Sequence, residues 1–262
     1  MPLVDPIALA RTYDHPSKDP WEAVRLHREA TKRPDDWGSQ RVASAINADR
    51  SNGFEGVSRS EIRTWVDGDG MPDAARAVEV ARALGWTDDR WTDATEALAA
   101  LVIGVYAFGS ISETDYAPSW SPDDGQSRAT IERALVCAGV DHQHVERRTT
   151  AQGDEIRPAE HRARLGRALV VAGAPAGDKN GESVRGLPGW IGDASPALEH
   201  GLAALLVRGR GVEHAAKATR TIQTDRGPRY FEDVARLVEA ATGEGVTASD
   251  HGVTIPADAV QE

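Results

Sequence analysis

The sequence predicts an α+β chain in two parts. An all-α N-terminal domain covers residues 1–92, and residues 93–262 form a second domain in which an α-β-β-α-β-β unit occurs twice about a pseudo-twofold axis. Three observations carry this reading. Apolar residues recur at helical spacing from Trp21 to Trp86. Two nearly all-apolar helices, 96–108 and 197–208, each run into a glycine, Gly109 and Gly209. After each comes the same succession of strands, an amphipathic helix ending in Gly, and further strands, which sets repeat 1 at about 94–174 and repeat 2 at about 195–262.

Taken in order, residues 1–20 are dotted with Pro and Asp and read as a loosely attached arm. WEAVRLHREATKR places Trp21, Val24, Leu26 and the stem of Arg28 along one side of a helix that ends before Pro34. Ser39 reads as the N-cap of a second helix, SQRVASAINAD, with Val42, Ala43 and Ile46 inward. RSNGFEG is a turn or short wing, VSRSEIRTWVDGDGMP holds a third helix, and DAARAVEVARALGW is a Pro-initiated fourth. TDDRWTD (87–93) is a polar hinge.

ALAALVIGVYAFG is too short to cross a membrane and too apolar to face water, so it should be buried on most sides. SISETDYAPSWSP, VDHQHVERRTT and DEIRPA read as strands, and RATIERALVCAGV and AEHRARLGRALVVAG as helices. A Pro/Gly-rich link, GAPAGDKNGESVRGLPGWI, precedes the second unit. That unit runs ALEHGLAALLVRG (helix), KATRTIQTD (strand), GPRYFEDVARLVEAATG (helix), then GVTAS and HGVTIPAD (hairpin). Small residues (Ala99, Ala100, Gly104; Gly201, Ala203, Ala204) should let the two apolar helices approach closely.

Composition narrows the function. The chain has 262 residues, 40% of them hydrophobic, enough for a core without disulfides or a metal staple. The lone Cys137 reads as a packed core thiol on a buried helix face. No apolar run is long enough for a membrane span and no basic-then-apolar leader opens the chain, so a soluble cytoplasmic protein with no membrane partner is expected. The net charge is -11, and only four of the 30 cations are lysines. Acidic excess with scarce lysine resembles the halophilic style of salt-accumulating archaea, where weak counterion-release affinity makes DNA binding lean on local arginine contacts and shape. Residues 147–167 and 205–236 are islands of net +3 in this acidic chain.

VSRSEIRTWVDGDGMP resembles the second half of a helix-turn-helix. Val57, Ile62 and Trp65 would pack inward and leave Ser58, Arg59, Ser60, Arg63 and Thr64 exposed, short polar residues for phosphates and arginines for guanine edges. Glu61, Asp67 and Asp69 nearby would repel phosphate. Residues 96–262 are similar to a degenerate LAGLIDADG homing-endonuclease domain in its single-chain, two-repeat form. LAALVIGVYAFGSIS and HGLAALLVRGRGV stand for the signature helices, GAPAGDKNGESVRGLPGWI for the inter-repeat stretch, and RTIQTDRGPRYFEDVARLVEAATG for strand-then-helix.

The resemblance implies two four-stranded sheets forming a saddle for the DNA major groove. It also implies one metal-binding carboxylate at the C-terminal end of each signature helix. Counted back from the terminal glycines, those positions hold Phe108 and Arg208, neither of which ligates magnesium. The expectation is therefore a sequence-specific double-stranded DNA-binding protein that is not an enzyme, needs no cofactor and binds no metal. It would regulate transcription, with other transcription proteins as further partners. Its DNA-binding residues would be Ser58, Arg59, Ser60, Arg63, Thr64, Arg147, Arg148, Arg157 and Arg220.

Two rivals stay open: an endonuclease using displaced carboxylates such as Glu113 and Asp115, and a scaffold whose saddle binds protein. His142 and His144 alternate on one strand but lack sequence-near metal partners beyond Asp141 and Glu146, and could instead touch DNA. No phosphate-binding loop, dinucleotide fingerprint, GxSxG or HExxH occurs.

Overall fold

The structure, a computed structural model, describes residues 2–15, 18–146, 154–180, 184, 186–213 and 219–256. It is mixed α+β, with ten α-helices and two four-stranded antiparallel sheets among the described residues. The chain divides into two compact units, residues 5–83 and residues 84–262 together with 1–4. The division precedes the expected boundary at residue 92. Residues 84–92 belong with the second unit because Leu84 covers Gly139 and the buried Trp86 donates its indole N–H to Ala138 O at 2.8 Å.

The smaller unit holds α1 (Pro6–Ala10), α2 (Pro20–Thr31), α3 (Ser39–Ala48), α4 (Arg59–Val66) and α5 (Asp73–Ala83). Its start is not a loose arm. Asp5 caps α1 by accepting from Ile7 N and Ala8 N, Pro6 supplies a helical φ, and Leu9 and Ala10 are buried. The same Asp-Pro device opens α2 at Asp19 and Pro20. Leu26 and Ala30 of α2 meet Val42, Ala43 and Ile46 of α3, Val57 just before α4 and Ile62 of α4 in one apolar cluster, with Trp37, Phe54, Trp65 and Val66 at its rim.

In the larger unit α6 (Asp93–Ala107) leads to β1 (Gly109–Ile111), β2 (Pro118–Trp120), α7 (Gly125–Cys137), β3 (His142–Val145), β4 (Glu155–Pro158) and α8 (Arg162–Val171). Then α9 (Pro196–Arg210) leads to β5 (Gly211–Glu213), β6 (Thr219–Ile222), α10 (Pro228–Thr242), β7 (Thr247–Ser249) and β8 (Gly252–Pro256). The sheets have orders β1-β2-β4-β3 and β5-β6-β8-β7, the same pattern in the two halves. Strand β5 escaped sequence reading because its GVE is short and half polar. Each sheet turns one face to the core through Ile111, Trp120 and Ile156, or Ile222, Val253 and Ile255.

Helix α6 is buried over almost its whole length, as its composition demands, and α9 packs along it. The small residues act differently from expectation. Gly104 faces Ile131 and Trp120, where a Cβ would come within 2.6 and 3.0 Å, and Gly201 faces open space. The close point is Gly209, whose added Cβ would lie 2.7 Å from Ala107 Cβ and 2.5 Å from Phe108 Cδ1. Gly209 is also inside α9, not beyond its end. On α7 the inward positions are Ser127, Ile131, Ala134 and Leu135, so Cys137 falls on the outer face and is exposed, contrary to the core thiol expected.

These contacts give a paired prediction. Gly209→Ala should cost about 1–3 kcal/mol by overpacking the α6–α9 contact. Gly201→Ala should stabilise by up to about 1 kcal/mol through helix propensity alone. Thermal and urea unfolding of the full chain reads both. A neutral Gly209→Ala would refute the close approach.

Candidate nucleic-acid interface

Helix α4 is the first candidate surface. Ser58 is its N-cap, accepting from Glu61 N at 3.3 Å, so one expected phosphate contact already serves the helix start. Ile62 is buried and Trp65 half-buried, while Ser58, Arg59, Ser60, Arg63 and Thr64 are exposed, the arrangement expected of the five. Arg59 leans back: its Nε donates to Ser39 Oγ at 3.2 Å and its guanidinium lies 4.0 Å from Asp67. Arg63 is exposed, and its guanidinium makes no hydrogen bond or ion pair among the described residues.

The cap of α3 is not Ser39. Gly38 occupies the cap position without a side chain, and Asp67, from just beyond α4, accepts from Ser39 N at 2.8 Å and from Ser39 Oγ at 2.7 Å. These bonds hold the Asp67 carboxyl below its usual range, helped by the charges of Arg59 and Arg63. The α3–α4 connection is braced by Asn47, which donates to Val57 O (2.9 Å) and accepts from Val57 N (2.8 Å), and by Asn52, which donates to Ile46 O (2.8 Å). Residues 49–58 make it longer than the three- or four-residue turn of a compact helix-turn-helix.

The sheet arginines are less available than expected. Arg147 and Arg148 lie outside the described residues. Arg157 stands opposite Gln143, on the face away from the core, and is ion-paired to Glu155 through Nε at 2.7 Å. Arg220 pairs in register with Ile255 and Glu213, which puts it on the core-side face, where its guanidinium holds Glu213. The outer faces carry mainly hydroxyls, Ser110 and Ser119 on one sheet and Thr219, Thr221, Thr247 and Thr254 on the other. His142 and His144 share the face of Ile156 and Pro158, turned away from Arg157. Glu113 and Asp115 sit in the β1–β2 turn, where Asp115 accepts from Ala117 N at 3.2 Å.

The second candidate surface is the joined C-terminal end of α6 and α9. Gly109 opens β1 immediately after Phe108, and Gly211 opens β5 immediately after Arg210. Arg210, not Arg208, is therefore the counterpart of Phe108. Arg208 reaches away, its Nε 3.4 Å from Ser127 Oγ. Three cations converge on the last carbonyls of α6. Lys179 Nζ donates to Val105 O (3.0 Å) and to Gly109 O, while Arg210 Nε and Arg226 Nη2 each donate to Tyr106 O at 3.2 Å.

Arg226 is buried, its guanidinium carbon 4.4 Å from the Tyr230 ring centroid and 5.6 Å from that of Tyr106, and the two rings stack 6.2 Å apart. Burial, then the charges of Arg210 and Arg226, lowers Lys179 to about 8. Arg210 is lowered as well, by burial and then by Arg226. Cations at a helix C-terminus answer its dipole and its unpaired carbonyls, and this site has no need of a metal to do so. Lys179 and Arg226 left no sequence signal, since they come from a loop and a turn remote from the two helices. No protein-family model matches the chain, and no curated protein matches it.

The Lys179 shift fixes a pH response. Free in the unfolded chain it titrates near 10.5, and folded near 8, so between those values the folded chain holds fewer protons. Stability from this group should therefore rise as pH increases through that window. The difference in melting temperature between wild type and Lys179→Met, measured from pH 7 to 10.5, should move in favour of wild type as pH rises. A pH-independent difference would remove the buried-cation assignment.

Proposed function

We propose that the protein is a sequence-specific double-stranded DNA-binding regulator that does not cut its target. In this reading residues 84–262 are a pseudo-twofold saddle of the homing-endonuclease kind, and α3 with α4 is a helix-turn-helix whose second helix reads bases. Supporting the architecture are the repeated sheet order, the meeting of α6 and α9, and the passage of each helix into its first strand with at most one residue between.

The observation that carries the non-catalytic assignment is the occupancy of that meeting point. Metal-dependent phosphodiester cleavage needs carboxylates to hold a divalent cation over the scissile phosphate. Here the equivalent positions are Phe108 and Arg210, and Lys179 and Arg226 bring two further positive charges to the same helix end, Arg226 at Tyr106 O and Lys179 at Val105 O. A divalent cation would be repelled. Glu113 and Asp115, the displaced carboxylates of the rival reading, are engaged in or next to a hairpin turn.

Recognition falls mainly to α4. Arg63, with Ser60 and Thr64 beside it, has the reach and the freedom for a guanine edge, whereas Arg59 is spent partly on Ser39. The hydroxyl-rich outer sheet faces, with Val212 62% exposed on one of them, favour a second role there: contact with a partner protein instead of a phosphate track.

Binding to the protein's own promoter region and to random duplex, across a salt series, tests this reading. Arg63→Ala should lose about 1–3 kcal/mol of discrimination, weakening the specific complex and sparing the random one. Arg59→Ala should lose less. With magnesium or manganese present, the bound duplex should stay intact. Specific strand scission by a clean preparation would overturn the non-catalytic reading, and equal effects of Arg63→Ala on both duplexes would take base recognition away from α4.

A further inference from the structure

We infer that Glu132, His142 and His144 form a binding site for one divalent transition-metal ion. The strand alternation that puts His142 and His144 on one face of β3 also turns them toward α7, where Glu132 waits one and a half turns before the helix end. One nitrogen from each imidazole and one carboxylate oxygen all lie within 4.8 Å of one another. His144 Nε2 is 3.4 Å from Glu132 Oε1, and the two imidazoles meet edge to face with centroids 5.7 Å apart.

Those distances suit a metal better than an ion pair alone. Bonds of about 2.0–2.1 Å in tetrahedral geometry set ligand atoms about 3.4 Å apart. One edge of that tetrahedron is already at length, and small rotations of the partly exposed imidazoles close the others. An ion pair between Glu132 and His144 would leave His142 without a part, yet its nitrogen shares the cluster. The sequence reading looked for partners at Asp141 and Glu146, next along the strand. The third donor comes instead from the preceding helix.

The donor set names the ion's class. Two imidazoles and one carboxylate suit zinc, cobalt, nickel or copper, while magnesium and calcium demand an oxygen cage. Three protein donors leave a fourth position to water. The site is on the core-side face of the sheet, on the side away from Arg157. Its work is mechanical. Strand β3 is the sheet's edge, paired only to β4, and a metal bridging it to α7 would fasten that edge.

The test uses tag-free full-length chain stripped with chelator and titrated with zinc chloride. Calorimetry should show one zinc per chain, cobalt should give the intense visible bands of tetrahedral coordination, and zinc should raise the melting temperature. His142→Ala, His144→Ala and Glu132→Gln should each weaken binding roughly 10–100-fold or more and abolish the thermal shift. Because all three side chains are at least partly exposed, each variant should melt like wild type without metal; Glu132→Gln, which keeps the side-chain shape, serves if a histidine variant fails to fold. Absence of stoichiometric zinc, undiminished binding in the His142→Ala/His144→Ala double variant, or magnesium binding as tight as zinc would each overturn the site.

Discussion

The contact of Gly209 with Ala107 and Phe108 governs the layout of the larger unit. Only a residue without a side chain lets α9 approach α6 this closely, and the approach occurs at the C-terminal ends of both helices. Each helix passes into a strand within one residue, so β1 and β5 leave from the same place and the two sheets are tied to a common origin. The cost of that arrangement is electrostatic. Two helix ends side by side concentrate unpaired carbonyls and the negative poles of two dipoles in a partly buried volume.

Donors must be brought there, and the fold brings three cations from different segments. Lys179 comes from the link between the halves, Arg210 from the last turn of α9, and Arg226 from the turn before α10. No carboxylate ion-pairs any of them among the described residues, and Lys179 falls to about 8 through burial first and then through the charges of Arg210 and Arg226. Arg226 is relieved by the Tyr230 and Tyr106 rings, which offer negative π-faces without adding a formal charge. Meeting the requirement with side chains satisfies the helix end with donors that the chain itself supplies.

Much of this was legible in the sequence. Periodicity gave the helices of the smaller unit, since their buried faces recur every three or four residues, and uniform apolarity gave the burial of α6. The order of elements gave a mixed α+β chain, which holds two four-stranded antiparallel sheets. What sequence could not supply was register and remote partnership. Gly209 reads as a helix stop by composition, but a glycine inside a helix and one beyond it look alike until the packing is known. That two-residue error moved the position equivalent to Phe108 from Arg210 to Arg208. Asp67, Lys179 and Glu132 were missed as partners because each acts on a residue distant in sequence or on another element. The N-terminal segment was undervalued because its Asp and Pro, which read as loop residues, are also the residues that start helices.

The remaining tension is between a chain of net charge -11 and the polyanionic partner proposed for it. It eases when the acids near α4 are placed. Asp67 is bound to the start of α3 through Ser39, so its charge stabilises the helix pair instead of facing outward alone. Glu61 is ion-paired to Lys18. Two of the three carboxylates that the sequence sets against phosphate are thereby committed within the smaller unit, and Asp69 is left exposed. The field at Arg63 is accordingly less negative than residue counting implies. Arg157 and Arg220, the two described sheet arginines expected to meet phosphate, are each tied to a glutamate. In the proposed complex the phosphate backbone would therefore be met by arginines outside the two sheets, and Arg63 on the exposed side of α4 would carry the base contact.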